Sequence, residues 1–298
     1  MTQHLPPPLP PRPARGTLTL PAVRAVDLGA PLHWLALGWR DLWRVGLPSL
    51  LYGAALAGFG ALLVLLAGQQ FWLLSGAFSG FLVVAPVLAT GLYALSRALE
   101  RGEPANWTTV RKTWTRWQYS RYAVHGGYWS LVRFGVLLAL AGTGWVLTSA
   151  ALITALAPQP VHTPLDFARH VVLAPGGHLF ELWLTLGGLM AAPLFASSVV
   201  AMPLLLDRRA TLLQAVLTGW QAVITNPLPM AFWAAIILGF TLLGLGSLLL
   251  GLIAVMPMLG HASWHAYRDL VDASSLPERD LVAPAVPNAS VRRPGGTL

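Results

Sequence analysis

Long apolar runs constrain this chain more than any motif does, because they decide which solvent it folds in. Four of them, roughly residues 48–68, 71–95, 131–156 and 182–206, have the length of a membrane-crossing helix, about 20 mostly apolar residues. The fifth, 228–260, is 33 residues long. As one helix it would extend about 50 Å, against a hydrocarbon core of about 30 Å. A hairpin turning near Gly244–Gly251 removes the excess, its second helix running through His261 and His265 to about Asp269. The expectation is six spans, about 48–68, 71–95, 131–156, 182–206, 228–247 and 250–269.

The cations support that choice. Arg and Lys in short loops mark the cytoplasmic side of a membrane. Arg12, Arg15, Arg24, Arg40 and Arg44 precede the first span, and Arg97, Arg101, Arg111, Lys112, Arg116, Arg121 and Arg133 lie between the second and third. Arg208 and Arg209 follow the fourth. With a final hairpin, Arg268, Arg279, Arg292 and Arg293 join them, which puts 18 of the 19 cations on one side and leaves only Arg169 opposite. Both termini are then cytoplasmic.

An internal repeat, ungapped within each segment and ten residues shorter between them in its second copy, points the same way. "GWRDLWRVGLPSLLYGAALAGF" (38–59) lies on "GWQAVITNPLPMAFWAAIILGF" (219–240), pairing Gly38 with Gly219, Trp39 with Trp220, Pro48 with Pro229 and Gly58 with Gly239. "APVLATGLYALSR" (85–97) lies on "MPMLGHASWHAYR" (256–268), pairing Tyr93 with Trp264 and Arg97 with Arg268. "MPLLLD" (202–207) is a third, fainter copy. The unit is an amphipathic surface helix followed by a membrane hairpin, used three times in parallel orientation. Segment 32–46 shows Leu32, Leu35, Trp39, Leu42 and Trp43 at helical spacing, with Asp41 among the charges of another face. Segment 208–225 repeats the pattern after Asp207, read as its N-cap, and Trp107, Trp114 and Trp117 mark the middle copy. Helices of this kind beside spans lie in the headgroup region.

Composition removes several chemistries. Of 298 residues 55% are hydrophobic and 10% charged, with mean hydropathy +0.62, where a soluble domain carries about 25% charged residues. With no cysteine there are no disulfides, thiolate metal sites or thiol catalysis. The net charge of +8 fits anionic lipid headgroups, and nucleic acid is not expected as a partner. Residues 1–25 and 273–298 are Pro-rich and read as flexible tails around a membrane domain at 26–272.

Reactive constellations are sparse. His261 and His265 share one helix face and are the candidate metal ligands, with His33 a possible third. Haem or copper is the cofactor such a pair could hold, although none is expected. Histidine, tryptophan and tyrosine at a span end are also ordinary interfacial residues, so Trp39, Tyr93, Arg97, Trp220, Trp264 and Arg268 are read as anchors. His162, His170 and His178, eight apart, do not have a helical ligand spacing. No catalytic residue is assigned.

The stretches "PLHWLALGWRDL", "GFLVVAPVLATGLYALSRALERGE", "MPLLLD" and "MPMLGHASWHAYRDLV" resemble the bacterial DUF2189 family, integral membrane proteins of unknown function. The resemblance covers about residues 28–272. Members are sometimes labelled cytochrome c oxidase subunit I, which would imply many more spans and intramembrane histidine ligands than this chain has. The expectation is an all-α, non-enzymatic integral membrane protein, an accessory or assembly partner of a membrane complex. The alternatives are a transporter or lipid-handling protein with a cavity between kinked helices and, less favoured, a redox protein.

Overall fold

A computed structural model describes residues 19–67, 70–119, 127–174 and 178–279. Helices α1 (Ala30–Val45), α2 (Leu47–Ala67), α3 (Phe71–Leu88), α4 (Thr90–Glu100), α5 (Trp107–Tyr119) and α6 (Gly127–Leu156) form the first half. The short α7 (Pro164–Phe167) runs into a π-helical turn at Ala168–Val172. Then follow α8 (Leu179–Ser198), α9 (Ala201–Asp207), α10 (Leu212–Thr225), α11 (Pro227–Gly246) and α12 (Leu252–Leu270). Two short strands, β1 (Ala22–Val23) and β2 (Val271–Asp272), pair antiparallel.

Among the described residues four stretches are long and apolar enough to cross a membrane: Leu47–Leu66, Arg133–Leu156, Leu179–Asp207 and Pro227–Gly246. Three of them are only 22% buried within the protein, and their leucines, Leu65, Leu140 and Leu243 among them, face outward. Apolar surface of that extent is not stable in water. Lipid is its natural solvent.

The expected span at 71–95 is divided. Pro86 lacks an N–H and its ring crowds the preceding turn, and the helix breaks at Ala89 between α3 and α4. Side chains satisfy the carbonyls freed there: Thr90 Oγ1 donates to Val87 O at 2.6 Å, and the Tyr52 hydroxyl donates to Leu88 O. The run 228–260 is divided too. Ser247 Oγ donates to Gly244 O at 2.8 Å and accepts from Gly251 N at 2.7 Å, closing a turn between α11 and α12. Asp207 does not cap α10, which starts at Leu212 behind a Thr211–Gln214 capping box.

Glycines set the closest approaches. A Cβ on Gly38 of α1 would lie 2.6 Å from Ala262 N and Met258 O of α12. One on Gly53 of α2 would overlap the Ile253 carbonyl, and one on Gly219 of α10 would overlap the Ala196 carbonyl of α8. Pro257 leaves the Ile253 carbonyl without its usual i+4 donor, so Gly53 admits a compensating Cα–H contact. In this way α1 and α2 pack on α12, α5 packs on α4, α10 on α8 and α3 on α6. Helices α4, α9 and α12 meet in the interior, where Leu92, Leu95, Met202, Leu204, Leu205, Trp264 and Tyr267 are buried.

The packed body extends past both expected tail boundaries. Val23 pairs with Val271, Asn226 holds Val26 N at 2.8 Å and Arg24 O at 3.0 Å, and Leu276 is buried. Arg209 N donates to Pro277 O and Arg279 N to Asp207 O, both at 2.9 Å. Valine and leucine at these positions give the extended segments something to bury, which overrides their irregular composition. Residues 1–18 and 280–298, the remainder of the expected tails, lie outside the described residues, as does the Trp117 side chain.

Candidate functional site: a buried polar seam

The two histidines on α12 face protein side chains. His261 is fully enclosed, its Nε2 2.8 Å from Ser49 Oγ on α2 and its Nδ1 2.8 Å from Ser96 Oγ on α4. Ser96 donates its proton to Asp41 Oδ2 on α1 at 2.9 Å. Its oxygen must then accept from His261 Nδ1–H, which leaves Nε2 as the acceptor for the Ser49 hydroxyl. The same Asp41 oxygen receives His265 Nε2 at 2.7 Å. Donation therefore runs from Ser49 through His261 and Ser96 to the acceptor Asp41, with His265 closing on Asp41 from the far side. Burial pushes the Asp41 carboxyl up, but the hydrogen bonds from His265 and Ser96 more than reverse this and hold it below the usual carboxylate range.

A second cluster centres on Asp207 at the end of α9. Its carboxylate takes Arg97 Nε at 2.9 Å, Arg208 Nε at 3.0 Å and the Tyr267 hydroxyl at 3.0 Å, with Arg101 Nη2 at 3.5 Å. Beside it Glu100 accepts Trp264 Nε1 and Arg268 Nε, each at 2.9 Å. Arg97 also donates to the Arg279 carbonyl at 2.8 Å, tying the C-terminal segment to α4.

These contacts revise several expectations. Tyr93 and Trp264, expected at the headgroup level, are 4% and 1% exposed. Arg97 and Arg268, read as interfacial anchors, instead meet Asp207 and Glu100. Tyr93, Arg97 and Trp264 are buried and Arg268 is half-buried, because partners from other helices converge there. Trp39 and Trp220 do face outward, 48% and 40% exposed, with Trp220 Nε1 donating to Ser197 Oγ at 2.9 Å.

The candidate metal ligands His261, His265 and His33 stand in separate surroundings. Both His261 nitrogens are bonded to serine hydroxyls, His265 Nε2 is bonded to Asp41, and His33 is exposed on α1. Among the described residues no group of three or more His, Cys, Asp or Glu is arranged to hold a metal ion. On the far side Asp166 completes the capping box of α7 with Thr163. Ser49 and His261 have the relation of a nucleophile to its base, but Ser49 is completely buried, so no electrophile reaches it in this conformation.

Asp41, Ser49, Ser96, Glu100, Asp207 and Tyr267 are missing from the sequence-based site. One signal was available: Asp207 ends a long apolar run, and a carboxylate in that position needs a buried partner.

No curated protein and no solved structure matches the chain. A family model described as a predicted integral membrane protein (DUF2189) matches residues 73–207, from α3 to the end of α9. That stretch holds Ser96, Arg97, Glu100, Arg101 and Asp207, and it stops short of α12 with its histidines. Over residues 73–207 the chain is thus similar to the DUF2189 family of predicted integral membrane proteins.

Proposed function

We propose that this chain is a six-span protein of the bacterial inner membrane, with both termini cytoplasmic, that acts without catalysis as an accessory or assembly partner of a membrane complex. The units are α1 with α2 and α3–α4, α5 with α6 and α8–α9, and α10 with α11 and α12. The packing supports this division. Each amphipathic helix rests on the second long helix of the unit before it: α5 on α4, α10 on α8, and α1 back on α12. Three units so joined close into a ring. The outward rows support it as well, since Leu32, Trp39 and Trp43 of α1 recur as Leu213, Trp220 and Ile224 of α10, all exposed. Trp107 and Trp114 of α5 keep the same seven-residue spacing and are also exposed.

The observation that carries the non-catalytic reading is the closure of the polar interior. Ser49, His261, Ser96, Asp41 and His265 answer one another, and Asp207 is surrounded by Arg97, Arg208 and Tyr267. What is left outside is apolar or interfacial surface, which suits lipid and other membrane subunits. A transporter would need a passage between 71–95 and 250–269, and Leu92 fills the α4–α12 crossing against Gly260, where an added Cβ would lie 2.5 Å from its Cδ1. Purification from the native membrane in a mild detergent, followed by mass spectrometry, tests the proposal. The expected result is a defined membrane subunit at fixed stoichiometry over successive columns. A chain recovered alone with a bound small molecule would count against it.

A further inference from the structure

Two anions at the cytoplasmic end of the bundle, as proposed above, differ in character. Asp207 is a permanent member of the interior, its side chain 3% exposed. Glu278 is not: its side chain is 52% exposed, and its carboxylate spans two guanidinium groups, Oε2 3.0 Å from Arg101 Nη2 and Oε1 3.4 Å from Arg208 Nη2. Arg97, Arg101 and Arg208 gather on Asp207, and Arg101 and Arg208 reach on to Glu278. The crowding is felt: burial first, then neighbouring arginines, lowers the guanidinium pKa of both Arg97 and Arg279.

We propose that the fork between Arg101 and Arg208 is a binding site for a phosphate group, which the chain occupies with its own Glu278. Two guanidinium groups set to grip both oxygens of one carboxylate are also set to grip two oxygens of a phosphate, which brings more charge and more acceptors. Arg101, 29% exposed, opens the fork to the outside. The exchange needs only a side-chain rotation, because the backbone of the segment stays pinned by Arg209 N to Pro277 O and Arg279 N to Asp207 O, each at 2.9 Å. The phosphate can belong to an acidic phospholipid headgroup or be free in solution. The inference does not depend on the accessory role.

The test uses the full chain in nanodiscs, with the thermal midpoint followed by tryptophan fluorescence. One arm titrates inorganic phosphate into phosphatidylcholine discs at constant ionic strength, and the other replaces phosphatidylcholine stepwise with phosphatidylglycerol. Glu278→Gln should raise the apparent affinity for the anion about tenfold over wild type, as expected when a resident competitor that fills a site about nine-tenths of the time is removed. Arg101→Ala, at a partly exposed position that leaves the Arg97–Asp207 pair intact, should abolish that gain. A response confined to the phosphatidylglycerol arm assigns the site to lipid, and one in the phosphate arm assigns it to a soluble ligand. Equal responses from wild type and Glu278→Gln, or a gain that survives Arg101→Ala, would overturn the proposal.

Discussion

Asp41 shows what a single buried residue does in this protein. Three groups from two helices, α4 and α12, depend on it: Ser96 and His265 directly, and His261 through Ser96. Asp41→Ala leaves those donors without an acceptor in a site closed to water, and should lower stability by about 1–3 kcal/mol, measured by thermal or denaturant unfolding in detergent. The acid limb follows from the sign of its shift. Because the folded carboxyl titrates below its unfolded value of about 4, Asp41 contributes stability above that pH and loses it as pH falls through the lower folded value. Asp41→Asn should flatten that part of the stability profile. Asp207→Ala is the more damaging change. It strands the buried Arg97 and should cost about 3–5 kcal/mol, whereas Arg97→Ala combined with Asp207→Ala should cost less than the two single losses added together. None of these pairs was legible in the sequence. Asp41 sits on what looks like the solvent face of an amphipathic helix, and Arg97 and Asp207 are 110 residues apart, so their contact exists only once α4 and α9 have met.

At the scale of elements the repeat separates two kinds of glycine. Gly38 and Gly219 occupy matched positions and both touch a neighbouring backbone, while Gly58 and Gly239, also matched, have nothing within 4 Å of an added Cβ. Gly38→Ala and Gly219→Ala should therefore destabilise by amounts typical of overpacking, about 1–3 kcal/mol. Gly58→Ala and Gly239→Ala should be neutral or slightly stabilising, since alanine is the better helix former by about 1 kcal/mol. Melting curves of the four variants decide this, and equal losses at all four would refute the division. Element positions were the most legible part of the fold, because apolar runs and their prolines are written locally. The break at Ala89 was not foreseen, for a proline kinks a helix only as far as neighbours such as Tyr52 and Thr90 can satisfy the freed carbonyls. The extended segments at 22–26 and 271–279 were missed for the opposite reason. Their order comes wholly from tertiary contacts, to Asn226, Leu270 and Asp207.

For the whole molecule the central claim is a ring of three hairpins entered from the cytoplasmic side, with the polar seam and both chain ends on that side. The final hairpin bears most of the weight, because without it α12 with Arg268, and the three arginines that follow it, change sides. The chain has no cysteine, so single cysteines can be placed freely. Leu250 is 69% exposed in the turn between α11 and α12, and Arg40 is half exposed on α1. A membrane-impermeant maleimide added to sealed right-side-out vesicles should label Leu250→Cys directly and reach Arg40→Cys only after permeabilisation. If Leu250→Cys is protected until the vesicles are opened while Arg40→Cys behaves as expected, residues 228–260 do not return across the membrane and the three-hairpin account is contradicted.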